Sequence, residues 1–116
     1  METIGTDALI KAKLIIVSGI TFRCSFTYKQ DGEPVDLTGW SAYMDFWQGD
    51  EKKLNADACV AVGPEGSAQI HMPPDVTSQL AEGSYDYDLV LKDTNGDTVR
   101  LVAGKASVKR RLSYDG

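Results

Sequence analysis

The chain has 116 residues, 42% of them hydrophobic and 25% charged, with a formal charge of -5 at pH 7; that length holds one core, and that charge argues against non-specific attraction to nucleic acid. Its longest apolar run, Leu14-Ile15-Ile16-Val17, is too short for a membrane span or a signal-peptide core, so neither a membrane partner nor export is expected. Two cysteines, Cys24 and Cys59, are far too sparse for a secreted disulfide scaffold and point to a reducing compartment.

Residues 1–12 mix small, polar and scattered apolar types without a sustained period and are expected to form a flexible N-terminal arm. Residues 13–116 are expected to form one domain. The β-branched run at Leu14 to Val17 predicts a strand, and Phe22, Cys24, Phe26 and Tyr28, alternating with polar residues, predict a half-buried one. Gln30 to Pro34 reads as a turn built on Asp31-Gly32, and Val35 to Gly39 as a crossover. From Trp40 to Trp47, Ala42, Met44 and Phe46 alternate with Tyr43, Asp45 and Trp47, which puts large side chains on both faces of the strand. The polar stretch from Gln48 to Asp57 reads as a long exposed loop. Cys59 to Val62 and Ser67 to Met72 flank a hairpin turn, and Asp75 is placed to cap one short helical turn reaching Leu80. Tyr85, Tyr87, Leu89 and Leu91 give the clearest period-two segment and predict a central strand; it returns through Asn95-Gly96 as residues 98–103 and 105–112, bent or bulged at Gly104.

No helix of ordinary length fits. Strands at this spacing predict an all-β immunoglobulin-like β-sandwich of seven or eight short antiparallel strands, with a small Greek-key barrel as the nearest alternative.

Few residues offer chemistry. His71 is the only histidine, so no spaced zinc set can be assembled, and neither Ser67 nor Ser78 sits in a nucleophile motif. Cys24 alternates with two phenylalanines as a small core side chain, and both cysteines are expected as free thiols. Asp93, Asn95 and Asp97 imitate the opening of a calcium loop but lack its glycine position and closing glutamate. Asp86 and Asp88 share one strand face, read as solvated. No catalytic residue, metal or cofactor is therefore expected, and the chain is expected not to be an enzyme. Two features suit an interface instead: the aromatic residues Trp40, Tyr43 and Trp47, and the basic group Lys105, Lys109, Arg110 and Arg111 in an otherwise acidic chain. The aromatic set also suits stacking on a sugar.

The segment from Gly83 to Asp93, followed by Asn95-Gly96, Arg100-Leu101, Gly104-Lys105 and Val108, resembles small immunoglobulin-like proteins of tailed bacteriophages, including the N-terminal domain of phage baseplate upper proteins. Gly19-Ile20-Thr21-Phe22 and Pro34-Val35-Asp36-Leu37-Thr38-Gly39 carry the same resemblance upstream. It implies a virion protein of the tail, baseplate or head-tail region, made in the host bacterial cytoplasm, that contacts other phage structural proteins and forms a homo-oligomer or joins a symmetric particle. Baseplate upper proteins continue into a long C-terminal portion, whereas this sequence stops at Gly116, which favours an adaptor or decoration role over receptor binding. A carbohydrate-binding module recognising host-surface glycans is the alternative function.

Overall fold

A computed structural model describes residues 8–110. Two sheets pack face to face. Strand β1 (Ile10–Lys11) and strand β2 (Leu14–Val17) both run parallel to the last strand, and β3 (Phe22–Thr27) opens the second sheet. A ribbon of β4 (Lys29–Gln30) and β5 (Glu33–Pro34) closes through Asp31 and Gly32, both at positive φ (52° and 83°), as a two-residue hairpin of the primed type requires. Then come β6 (Ser41–Gln48), β7 (Glu51–Asn55), a 3-10 turn at Asp57–Cys59, β8 (Val60–Val62), β9 (Ser67–Met72), a single helical turn α1 (Pro74–Thr77), β10 (Gly83–Lys92) and β11 (Thr98–Lys109). The six-stranded sheet has the order β1-β11-β10-β6-β7, with β2 also on β11; the three-stranded sheet has the order β3-β9-β8.

This is the expected immunoglobulin-like sandwich, with a finer strand inventory. Eleven strands are present among the described residues, because edge segments of two to five residues pair where polar sequence suggested loops, and the two pairings made by β1 and β2 are parallel. Residues 1–7 of the expected arm lie outside the described residues; nearer the domain, the Leu9 N–H donates to the Arg100 carbonyl at 3.1 Å and the Ala12 N–H to the Ala103 carbonyl at 3.2 Å.

The long loop expected from Gln48 to Asp57 is instead a hairpin arm. Gln48 faces Glu51 across a two-residue connection, and Leu54, the one apolar residue of the edge strand β7, is buried opposite Phe46. Charged side chains disguised β7 as loop, yet charge is what an exposed edge strand carries to discourage further pairing. Two more details differ. The bulge in the β10–β11 pair falls at Leu101, between the partners of Leu89 and Val90, and β11 runs unbroken past Gly104. The helical turn begins at Pro74, which has no N–H to satisfy, so Asp75 lies inside it and makes no side-chain cap.

Period-two burial builds the core. Tyr85, Tyr87, Leu89 and Leu91 on β10, Met44 and Phe46 on β6, and Leu101, Val102, Ala106 and Val108 on β11 face Ala68, Ile70 and Met72 on β9. Phe46 stacks on Tyr87 with ring centroids 6.0 Å apart. Each such apolar side chain contributes about 1.5–3 kcal/mol by leaving water, and the inward rows fix which side chains remain outside.

Candidate functional site: the two outer sheet faces

The motif stretches that carry the phage resemblance turn out to hold the fold. In Asp36-Leu37-Thr38-Gly39 the Asp36 carboxylate accepts the Thr38 N–H at 2.9 Å and its hydroxyl at 2.6 Å, Leu37 is fully buried, and the Trp40 N–H returns to the Leu37 carbonyl at 3.0 Å. Those two bonds from Thr38 hold the Asp36 carboxyl below its ordinary range. At the β10–β11 turn the Asp93 carboxylate accepts the N–H groups of Asn95 and Asp97, each at 2.9 Å, so the calcium-like trio is a turn.

Tyr43, Trp47, Lys105 and Lys109, up to 66 positions apart in sequence, all project from the outer face of the six-stranded sheet, with Tyr43 and Lys109 toward its opposite ends. Cross-strand register sets Lys52, Trp47, Asp86 and Lys105 in one row over β7, β6, β10 and β11. The next row holds Asp45 and Asp88, and the one after it Tyr43 and Val90 beside Arg100. The carboxylates are paired in place: Asp86 with Lys105 at 2.7 Å, Asp88 with Arg100 at 3.2 Å, and Asp45 with Lys52 at 3.5 Å. Lys52 also stands 5.5 Å above the Trp47 ring. Exposed pairs of this kind contribute at most about 1 kcal/mol each; their larger effect is to leave the middle of the face electrically balanced. Around it Tyr43 is 40% exposed and Ile15, on β2, 58%.

Trp40 does not join this face. It packs edge-on against Tyr28, ring centroids 6.1 Å apart, and with Tyr28, Gln30, Asp93, Asp97 and Thr98 walls a cleft of about 220 Å³. The basic group divides as well. Lys105 and Lys109 point outward from β11, while Arg110 lies beyond its end beside Ser18, Gly19 and Ser78. Arg111 lies outside the described residues.

The opposite outer face, on the three-stranded sheet, presents Arg23 and Ser25 from β3 opposite His71 and Gln69 from β9. His71 therefore sits across from a guanidinium, with no carboxylate to orient it. Cys24 and Cys59 are free thiols, half-buried; burial raises both above the ordinary thiol range, and the Asp75 carboxylate adds to the rise at Cys59. Among the described residues no group of three or more His, Cys, Asp or Glu is placed to hold a metal ion, and no helix is long and apolar enough to cross a membrane.

Sequence reasoning missed Thr77 and Asp57. Thr77 is fully buried; its hydroxyl accepts the Gly19 N–H and donates to the Ile20 carbonyl, both at 3.0 Å, joining α1 to the β2–β3 turn. Asp57 accepts the Met44 N–H at 2.7 Å and closes the β6–β7 arm. Neither carries a local signal, because each partner is fixed only by the packing of the sheets.

No protein-family model matches the chain, and no curated protein matches it. Among solved structures it is similar to fibronectin(III)-like modules of Clostridium thermocellum CbhA, at 13% identity over 88% of this chain and 92% of that one, with a TM-score of 0.46. It is similar also to the extracellular domain of the voltage-gated sodium channel beta4 subunit, at 8% identity over 98% of each chain and a TM-score of 0.49. A PKD domain of human KIAA0319 aligns at 12% identity over 100% of this chain and 96% of that one, with a TM-score of 0.41.

Proposed function

We propose that this chain is a non-enzymatic structural or assembly protein of a tailed-bacteriophage virion, made in the host cytoplasm and docking on neighbouring subunits through the outer face of its six-stranded sheet. The observation that carries the docking reading is the make-up of that face. The carboxylates of Asp45, Asp86 and Asp88 are each paired within the face, so covering it strands none of them, and Tyr43, Trp47 and Ile15 stand around this balanced centre as anchors. The phage assignment rests on the motifs from Gly19 to Phe22, Pro34 to Gly39 and Gly83 to Asp93.

The test has two parts. Mass spectrometry of purified particles is expected to find the chain, and its absence from particles and from every tail or head-tail subassembly would remove the virion assignment. In parallel, Tyr43→Asp and Ile15→Asp are expected to weaken association with the partner subunit about thirtyfold or more, by burying an unpaired charge in the contact, while the isolated chain stays folded at a cost of about 1–2 kcal/mol from lost strand propensity and cross-strand packing. Undiminished association would move the interface elsewhere.

The cleft beside Trp40 supports a sugar-binding reading, because an aromatic wall next to Asp97 and Gln30 suits the apolar face and hydroxyls of a saccharide. Titration with host-surface glycans would change tryptophan fluorescence under that reading, and Trp40→Ala would abolish the change.

A further inference from the structure

The chain carries 17 acidic residues, yet the outward positions of its three-stranded sheet carry none. Arg23, Ser25 and Thr27 point out from β3, Ser67, Gln69 and His71 from β9, and Ala61 from β8. The nearest acids along these strands, Asp57, Glu65 and Asp75, lie in the flanking connections. Arg23, Ser25, Gln69 and His71 surround a shallow concavity of about 450 Å³. Each can donate a hydrogen bond, and among the described residues none of these four side chains donates to a protein group. On the opposite face, by contrast, Lys52, Arg100 and Lys105 are each paired with a carboxylate.

We propose that this second face docks an extended acidic polypeptide segment of a partner. Cross-strand neighbours on one face stand about 5 Å apart, and residues two apart along a strand about 7 Å, so the donors form a small rectangle with Arg23 and His71 at one end and Ser25 and Gln69 at the other. Side chains at alternate positions of an extended segment repeat at about the same 7 Å. Carboxylates at positions i and i+2 therefore meet both ends together, one in the guanidinium fork of Arg23 with His71 beside it, the other between the Ser25 hydroxyl and the Gln69 amide. The inference concerns the opposite layer from Tyr43 and does not rest on the virion assignment.

The full chain, labelled with 15N, would be titrated at low ionic strength with an acetylated and amidated hexapeptide of alternating Asp and Thr, with an Asn-Thr peptide as control. Amide shifts are expected along Arg23 to Ser25 and Gln69 to His71 with the Asp peptide only, weakening as salt is added. Arg23→Gln, an exposed change that leaves thermal stability intact, is expected to reduce affinity about tenfold through loss of a charge-assisted bond. Equal binding of the Asn peptide, shifts confined to the Lys105 face, or unchanged affinity in Arg23→Gln would overturn the proposal. So would saturation by inorganic phosphate at lower concentration than the peptide, which would make the face a phosphate site instead.

Discussion

Thr77 and Tyr87 show how single polar groups tie strands that are distant in sequence. The Thr77 hydroxyl serves two backbone groups of the β2–β3 turn from inside the protein. Thr77→Val keeps the shape but strands the Gly19 N–H and the Ile20 carbonyl, and is expected to reduce stability by about 1–3 kcal/mol in urea denaturation. Tyr87 donates its hydroxyl to the Ala12 carbonyl at 2.7 Å, and burial, with a smaller effect from the nearby Cys24, pushes its ionisation from 10.0 up to about 12. The folded state thus holds the phenol proton where the unfolded chain, titrating near 10, has lost it. This group's contribution is constant below pH 10 and declines as pH rises toward 12. Urea midpoints measured from pH 9 to 12 are expected to fall more steeply in the native chain than in Tyr87→Phe.

At the scale of elements, the join between β1 and β2 is the least obvious construction. Ala12 dips toward the core at this join, and a Cβ placed on Gly104 would collide with the Ala12 carbonyl. The missing side chain is what lets that carbonyl sit within reach of the Tyr87 hydroxyl. Gly104→Ala is expected to push the first strand off β11, destabilising by about 1–3 kcal/mol as other overpacking changes do. Amide exchange would show it as lost protection at Ala12, whose N–H bonds the Ala103 carbonyl, with little change at Leu89. Gly104 was legible in the sequence as a special position, but as a bend, since nothing local shows which chain passes over it. The arm at β7 was hidden for a related reason: Glu51, Lys52 and Lys53 look like loop, and only Leu54 among them is held inward, by a strand whose position depends on the whole sheet.

On the scale of the whole molecule, the two layers separate two surfaces of different character, one balanced and aromatic, the other donor-rich and free of carboxylates on its strands. Alternation along β6 and β10 was enough to say that Tyr43, Trp47, Asp86 and Asp88 point away from the core, because a pleated strand sends successive side chains to opposite sides. Turn chemistry at Asp31-Gly32 and Asn95-Gly96 likewise located two hairpins from residue type. Which outward rows become neighbours is a matter of strand order and register, and these are set by long-range pairing. Thus Lys105 meets Asp86 across β10–β11, Arg23 meets His71 across β3–β9, and Trp40, near Tyr43 in sequence, leaves for the Tyr28 end. Local period and residue type were sufficient for the class of fold and the inward rows, since each of these depends on near neighbours in the chain. The composition of each face was settled by long-range packing, because a face is assembled from strands that only the folded sheets bring side by side.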